Sequence, residues 1–345
     1  MARRFPFRRQ PQDRQLIHVV ANPNSGRGQG HDETKRIIIE LLRQAFPDSE
    51  VANADIRVFL TKSLSDLDEA REAIRTERPG FLVIIGGDGT IQMTLGKDEA
   101  LLHYLTVGER PPQVVVVDLG TFNTIGKTLG IRPRRPVQAV KTFIEKIRRG
   151  HPLDTVHRHI LSVNGKFAMI VGFGLAARFI AMYNEKPKRG IRRAIVTMLL
   201  SLWSQFARHL PFSKRRSIAE PFEVAWTFES DGAVVGQGEG WATGLIASSL
   251  EQVGMGIQAT HRALERVEHF HVVLSNLGFW QTALNLPNMF RGRPLIGDAQ
   301  DEVVTAATFR FKEPMPFMLD GEMQEAAEAI DIRRGPLITF VRLTP

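Results

Sequence analysis

Two short segments of the sequence combine glycines with carboxylates in a way that points to chemistry rather than to a plain turn. Gly86-Gly87-Asp88-Gly89-Thr90 follows an apolar run, and its three glycines let the backbone approach a ligand closely. Its aspartate and threonine are suited to bind Mg²⁺ or a ribose, or to activate a hydroxyl group. Asp320-Gly321-Glu322 places two carboxylates in one tight turn. For this second segment the structural alternative is an ordinary Asp-Gly hairpin.

Two further segments place small and polar residues directly after apolar runs. Asn22-Pro23-Asn24-Ser25-Gly26-Arg27-Gly28 follows the first run, and its backbone N–H groups could approach a phosphate where a helix begins. It matches neither the Walker pattern nor a G-x-G-x-x-G fingerprint, so any strand-to-helix turn would also explain it. Gly120-Thr121-Phe122-Asn123 offers a hydroxyl and an amide to a nucleotide, and would serve equally well as a helix cap.

These segments lie where predicted strands end. Apolar runs predict strands at Leu16–Ala21, Ile56–Thr61, Phe81–Ile85 and Val114–Val117. Amphipathic stretches between them predict helices near residues 32–46, 65–77, 90–105 and 135–149. This alternation predicts an N-terminal doubly wound α/β nucleotide-binding domain, in which ligands bind beyond the carboxyl ends of the strands.

The second half of the chain has a different texture after Gly150. Asn164-Gly165, Asp231-Gly232 and Asp320-Gly321 are hairpin signals, because Asn-Gly and Asp-Gly accept the positive φ angles of a tight turn. Strand-like runs flank them, among them Val303–Phe311 and Pro316–Leu319. The sequence therefore predicts a C-terminal, mostly antiparallel β-sandwich domain with a few helical insertions.

The composition limits the partners and the compartment. The chain has 45 Lys and Arg against 37 Asp and Glu, a formal net charge of +8 that indicates either an acidic partner or a solvated basic surface. No zinc-finger spacing and no RNA-recognition aromatic pattern occurs, which argues against nucleic acid. Without cysteine, disulfides and thiolate metal sites are excluded, and a cytoplasmic location is predicted. Residues 1–14 predict a basic flexible arm.

The segment 186–216 predicts contact with an anionic membrane surface. Basic clusters bracket an apolar stretch that contains Trp203 and Phe206, the pattern of a helix that lies at a membrane interface. The alternative is a core helix with charged ends. No stretch is long and apolar enough for a transmembrane helix, so peripheral membrane association is the expectation.

Taken together, the order NPxSG, GGDGT, GTxN and DGE resembles the diacylglycerol kinase catalytic family, which includes sphingosine, ceramide and bacterial lipid kinases. The resemblance runs from about Ile17 to Leu343. It implies an ATP-binding domain over 15–152 with a return of 324–345, a lipid-substrate domain over 153–323, and an active site between them. It also implies phosphorylation of a hydroxyl on a membrane lipid, diacylglycerol-like or sphingoid-like, with ATP and Mg²⁺.

The resemblance assigns roles to particular residues. It implies Glu322 as the proton acceptor, with Asp320 and Asp88 close to the reacting hydroxyl and Asp88 at the metal. It implies that the following residues hold ATP: Asn22, Pro23, Asn24, Ser25, Gly26, Thr61, Gly86, Gly87, Asp88, Gly89, Thr90, Thr121 and, as a nucleotide contact of the same motif, Asn123.

The chain departs from the family pattern at several positions. Met93 and Ala176 stand where the family usually has acidic residues, and Glu265-Arg266 replaces a usual Asp-Gly pair, which bears on a second, structural Mg²⁺ site. Two other functions therefore stay open at this point. One is a kinase for a soluble substrate such as NAD, since GGDGT also fits NAD kinases. The other is a catalytically degraded, nucleotide-binding, membrane-associated protein. The oligomeric state is open.

Overall fold

The computed structural model of the protein describes residues 15–25, 36–40, 43, 50–51, 54–95, 104, 111–119, 124–130, 136–184 and 218–343. Several predicted features lie outside these residues: the arm 1–14, Gly26, most of the helix expected at 32–46, the segment 120–123 with Thr121 and Asn123, and the whole of 186–216.

The N-terminal half is built on a parallel sheet. Its strands are β1 (Gln15–Ala21), β2 (Glu50–Val51), β3 (Ala54–Leu60), β4 (Phe81–Gly86) and β5 (Gln113–Asp118). Its helices include α1 (Leu64–Glu77), α2 (Asp88–Leu95), α3 (Thr124–Thr128) and α4 (Pro136–Arg148). Strands β3, β1, β4 and β5 pair in parallel in that order, and β2 is antiparallel to β3. This arrangement confirms the predicted N-terminal α/β domain.

The strand ends of this sheet are level with one another. Ala21 is opposite Leu60 on one side and Ile85 on the other, and Gly86 is opposite Asp118. All residues of β4 are buried, as expected for a central parallel strand that is covered on both faces. Polar residues that follow the strands are therefore delivered to one edge of the sheet.

The C-terminal half is mostly antiparallel. Its strands are β6 (Thr155–Val163), β7 (Lys166–Ala168), β8 (Ile170–Gly174), β9 (Phe222–Ser230), β10 (Ala233–Ala242), β11 (Gly244–Ser248), β12 (Phe270–Ser275), β13 (Ala299–Val304), β14 (Ala306–Leu319) and β15 (Glu322–Val341). Two helices, α5 (Leu175–Asn184) and α6 (Phe279–Phe290), are inserted between strands. The ladders among these strands are antiparallel, which confirms that the second domain is mostly antiparallel β.

The three predicted hairpin turns are confirmed. Asn164-Gly165 joins β6 to β7, Asp231-Gly232 joins β9 to β10, and Asp320-Gly321 joins β14 to β15. Their central residues all have positive φ angles, between 47° and 89°. This is the backbone of a primed two-residue turn, which matches the twist of the strands on either side.

One predicted strand is interrupted. The run Val303–Phe311 was expected to form a single strand, but Val304 ends β13 and Ala306 begins β14. Thr305 lies between them, and its backbone N–H donates to the carbonyl of Glu229 at 2.8 Å. The run therefore changes partner, from β12 before Thr305 to β9 and β15 after it.

A single long strand, β15, links the two halves. Its first part pairs with β14, and its last part pairs with β6. At the far end, Phe340 and Val341 also pair in parallel with Val114 and Val115 of β5. All strands consequently belong to one continuous sheet.

The second half has its own aromatic core. The ring of Phe173 on β8 lies 4.9 Å from that of Phe311 and 5.3 Å from that of Phe317, both on β14. Phe222 of β9 contacts Phe311 at 5.9 Å between ring centres.

Within the described ranges, no helix is both long and apolar enough to cross a bilayer.

Candidate active site

One cavity of about 810 Å³ brings the separated segments together. From the N-terminal half it is lined by Asn22, Asn24, Ser25, Thr61, Gly87, Asp88, Gly89 and Thr90. From the C-terminal half, Asp320, Gly321 and Glu322 line the same cavity. Pro23 lies in the turn between Asn22 and Asn24, and Gly86 is the last residue of β4; neither lines the cavity wall.

The turns after β1 and β4 are joined by Thr90. Its hydroxyl accepts a hydrogen bond from Nδ2 of Asn22 at 3.1 Å and is 3.1 Å from Oγ of Ser25. Oδ1 of Asn22 also accepts from the backbone N–H of Asn24 at 2.9 Å, which closes the first turn. These short polar side chains hold two stretches of backbone side by side at the sheet edge.

Gly86 is required at its position for steric reasons. A Cβ atom on this residue would lie 2.5 Å from the hydroxyl oxygen of Thr90, far inside contact distance. Helix α2 begins immediately after, at Asp88. The first N–H groups of a helix have no acceptor within the helix, so this end of the cavity is suited to a phosphate.

The carboxylate of Asp88 connects the start of α2 to the start of α3. Oδ2 accepts from the backbone N–H of Thr124 at 3.0 Å, and Oδ1 accepts from that of Ile125 at 3.1 Å. Burial raises the pKa of Asp88, although these two N–H groups act in the opposite direction. An ionised carboxylate has about four lone-pair positions, so two remain for a ligand.

Asp320 anchors the turn between β14 and β15. Its Oδ1 accepts from the backbone N–H groups of Met169 at 3.0 Å and Ile170 at 2.7 Å. Burial raises the pKa of Asp320 to about 7; the N–H groups oppose this rise, and the charges of Asp88 and Glu322 add to it. These contacts give Asp320 a positioning role for the turn, and its predicted part in proton transfer stays a prediction.

Glu322 faces the glycine-rich turn from the opposite half of the protein. A Cβ atom built on Gly89 would lie 4.0 Å from Oε1 of Glu322. The side chain is exposed to solvent at the cavity wall. The carboxylates of Asp88, Asp320 and Glu322 thus converge on one region, since the electrostatic effect of Asp88 and Glu322 reaches Asp320.

The donor set at this region fits Mg²⁺. Carboxylate oxygens are hard ligands, and a nearby cation would offset the cost of gathering like charges in a partly buried place. Within the described residues, no three His, Asp or Glu side chains form a ready-made cage for a metal. This agrees with the usual mode of Mg²⁺, which uses one or two carboxylates together with substrate phosphates. Asp88 is placed to be one of them.

The rest of the cavity is apolar, which sequence reasoning missed. Its walls come from α5, β11, the loop 253–257 and α6, and they include Leu175, Phe179, Ile180, Tyr183, Leu245, Val253, Met255, Ile257, Phe279, Ala283, Leu286 and Met289. The helical spacing of Phe279, Ala283 and Leu286 was a usable signal, because it marks one face of a helix. Lys62 is the single basic residue among the described residues that line the cavity.

The departures from the family pattern have clear places in the structure. Met93 and Ala176 line the cavity with apolar side chains. Near Glu265-Arg266, the guanidinium of Arg262 donates to Glu265 at 2.9 and 3.2 Å and to Asp301 at 2.9 Å. A side-chain cation therefore already neutralises this pair of carboxylates.

Asp301→Asn is expected to flatten the dependence of stability on acid pH. Burial by itself raises the pKa of Asp301, but the hydrogen bond and charge of His271, together with Arg262, outweigh it and lower the pKa to about 2, from 3.8. The ionised form therefore stabilises the fold above about pH 4, and this contribution is lost as pH falls from about 4 to about 2.

Urea unfolding followed by circular dichroism across this pH range measures the effect. Asp298→Asn changes an exposed carboxylate nearby and serves as the control. Its free energy of unfolding should vary with pH as that of the wild type does. If the free energy of unfolding of Asp301→Asn depends on pH as steeply as that of the wild type, the stabilising role of ionised Asp301 beside His271 and Arg262 is contradicted.

Comparison with known proteins agrees with this geometry. Residues 16–156 match the sequence model of the diacylglycerol kinase catalytic domain. A solved structure from Bacillus anthracis str. Sterne, described as a "putative diacylglycerol kinase", is 17% identical with a TM-score of 0.63 over 97% of this chain and 99% of that chain. A second protein so described from the same strain is 18% identical, with a TM-score of 0.60 over 96% and 98% of the two chains.

A diacylglycerol kinase of that strain is 16% identical, with a TM-score of 0.55 over 97% of this chain and 99% of that chain. At these identities the three solved structures establish the shared two-domain fold. A comparison with curated proteins gives no match. The sequence match and the converging motifs lead to one assignment: residues 16–156 are a member of the diacylglycerol kinase catalytic domain family.

Proposed function

We propose that the protein is a lipid kinase that transfers the γ-phosphoryl group of ATP to a hydroxyl of a membrane lipid, diacylglycerol-like or sphingoid-like. One observation carries the proposal. The cavity is lined by glycine-rich turns and three carboxylates, here called the nucleotide end, and by apolar side chains of α5, β11 and α6, here called the acceptor end. A nucleotide suits the first end and acyl chains suit the second.

The nucleotide end supplies backbone N–H groups and small polar side chains. Asn22, Ser25 and Thr90 hold the two turns in register through the hydroxyl of Thr90. The start of α2 presents N–H groups to the terminal phosphates, where the helix dipole favours negative charge. When bound at Asp88, Mg²⁺ supplies neutralisation of phosphate charge. We place Lys62 beside the phosphates as a further cation.

The acceptor end supplies a cavity of suitable volume with apolar walls. A volume of about 810 Å³ lies within the usual range of ligand pockets and accommodates hydrocarbon chains beside a nucleotide. The apolar walls keep water away from the hydrocarbon chains of a bound lipid, which favours their burial there. A soluble dinucleotide acceptor would leave these apolar walls uncovered, so we favour the lipid.

The reaction needs one proton acceptor for the lipid hydroxyl. Glu322 takes this proton as the hydroxyl oxygen bonds to the γ-phosphorus, while the bond from phosphorus to the bridging oxygen breaks and ADP leaves. Asp320 holds the turn that carries Glu322, through the N–H groups of Met169 and Ile170. Asp88 faces the same region from the other half.

The direct test is incubation of the purified protein with labelled ATP and either vesicles of mixed lipids or soluble acceptors, NAD among them. We expect label in a lipid product, identified by mass spectrometry. Transfer to NAD alone would replace the proposal with a soluble-substrate kinase. ATP binding without transfer to any acceptor would indicate a degraded enzyme. The segment 186–216 stays a proposed membrane contact and lies outside the described residues.

Ala283→Trp is expected to separate the two ends of the cavity. Ala283 lines the apolar chamber from α6, so a large ring there fills space that the acyl chains need. We expect lipid phosphorylation to fall by about tenfold or more, since filling a well-packed site costs about 1–3 kcal/mol. The affinity for ATP should not change.

The measurement is the kcat/KM for lipid beside the Kd for ATP. Ala326→Trp is the matched control, because Ala326 is exposed on β15 and does not line the cavity. Loss of ATP affinity in Ala283→Trp, or full lipid activity, would argue against an acyl chamber at this place.

A further inference from the structure

We propose that α6 and the loop that follows it dock the protein on a bilayer with anionic headgroups. The surface, here called the docking face, consists of Trp280, Leu284 and Ile296. The choice of a bilayer as its occupant rests on the proposed function, because a lipid acceptor must enter the cavity from a membrane.

Helix α6 is apolar on two sides. One side lines the cavity with Phe279, Ala283 and Leu286. The other side faces water: Trp280 is 55% exposed and Leu284 is 80% exposed. Residues four apart lie on one face of a helix, so these two side chains are neighbours. Large apolar side chains that share an exposed face mark a surface that contacts a partner.

The loop after α6 adds a third large apolar side chain beside them. The side-chain amide of Asn285 donates to the carbonyl of Ile296 at 3.0 Å, and its oxygen accepts from the N–H of Ile296 at 2.7 Å. Asn285 is buried and adjacent in sequence to Leu284. Ile296 is thus fixed close to the helix, although its side chain is 75% exposed. Three large exposed apolar side chains therefore lie on one helix and on the loop that is hydrogen-bonded to it, a grouping that marks a contact site more than scattered single residues do.

The charge around the patch selects the kind of partner. Residues 279–296 contain two arginines, Arg291 and Arg293, and neither Asp nor Glu. Both arginines are exposed at the end of α6. Large apolar side chains beside exposed cations suit an interface where acyl chains lie below anionic headgroups. The same helix α6 carries the docking face and part of the wall of the apolar cavity.

Fluorescence of single-tryptophan proteins tests the contact directly. Trp203, Trp226 and Trp241 are replaced by Phe to leave Trp280, or Trp203, Trp226 and Trp280 to leave Trp241. The two remaining residues are almost equally exposed, 55% for Trp280 and 56% for Trp241, so Trp241 is a matched control. Circular dichroism verifies the fold of each protein. The probes are phosphatidylcholine vesicles with and without phosphatidylglycerol, and with brominated acyl chains.

We expect the emission of Trp280 to shift to the blue with phosphatidylglycerol vesicles and to be quenched by bromine, whereas Trp241 shows neither change. The double variant Leu284→Gln/Ile296→Gln should lower vesicle affinity by about tenfold or more, as expected when apolar side chains leave the interface. Val267→Gln is its control, because Val267 is 66% exposed on another part of the surface. The pair Arg291→Gln and Arg293→Gln should remove most of the preference for anionic vesicles.

The inference is overturned if Trp280 is not quenched while the protein binds vesicles, or if the protein binds no vesicles. A vesicle affinity that is unchanged in Leu284→Gln/Ile296→Gln would overturn it too. Binding does not depend on catalysis, so the Glu322→Gln protein should dock as the wild type does. If Trp280 is quenched but no lipid is ever phosphorylated, the proposed function fails and the docking face stands.

Discussion

Glu322→Gln is expected to lower the rate of lipid phosphorylation by about 10²–10⁴-fold, the usual contribution of a positioned general base. The substitution keeps the size of the side chain and removes its capacity to take a proton. Because Glu322 is exposed at the cavity wall, no buried partner is lost and the fold should be unaffected. The loss should appear in kcat, with little change in the KM for ATP.

The control for this variant is Glu325→Gln. Glu325 is exposed on the same strand, three residues further along, and does not line the cavity. Labelled-ATP assays of both variants, with thermal melts to verify folding, decide the matter. Activity of Glu322→Gln within a few-fold of the wild type would remove Glu322 from the mechanism and pass the role to Asp88.

Asp88→Asn is the second substitution with a large expected effect. It removes the charge that would hold Mg²⁺, and it replaces one of the two oxygens that accept from the N–H groups of Thr124 and Ile125 by an NH₂ group. We expect phosphorylation to fall by at least about 10²-fold, since positioning and charge neutralisation account for most of phosphoryl-transfer catalysis. A loss of about 1–3 kcal/mol in the free energy of unfolding should accompany it, because a buried donor is left unsatisfied.

Two readouts separate these effects. The thermal stabilisation by ATP should depend on Mg²⁺ in the wild type and lose that dependence in Asp88→Asn. The difference in melting temperature between Asp88→Asn and the wild type, both without ligand, measures the loss of fold stability. Glu69→Gln, a change of an exposed carboxylate on α1, should leave both readouts unchanged. Retention of the Mg²⁺ dependence in Asp88→Asn would show that another group holds the metal.

Local sequence signals were sufficient for most of the fold. The buried strand β4 is an unbroken apolar run, and Asn164-Gly165 is a strong signal for a tight turn. Interactions over short sequence distances decide such elements, so composition and spacing reveal them. The break at Thr305 was not predictable in this way, because its partner Glu229 belongs to a strand far away in the chain.

The sequence pointed to candidate residues at the strand ends, but it did not reveal the different contacts that each of them makes. Asp320 and Glu322 are two residues apart, yet only Asp320 is tied to backbone N–H groups, from Met169 and Ile170 about 150 residues earlier. The apolar chamber was equally hidden, because α5, β11 and α6 each look like ordinary core elements until tertiary packing leaves space between them.

The long strand β15 has a mechanical consequence. Glu322 is at its beginning, and Val341, at its end, is hydrogen-bonded into ladders with β5 on one side and β6 on the other. A large rotation of one half of the protein relative to the other would have to bend this strand or break the hydrogen bonds at its end. The pairing at the end of β15 therefore limits how far Glu322 can move away from the turn of Asp88. We expect substrate entry to use local movement of the cavity wall.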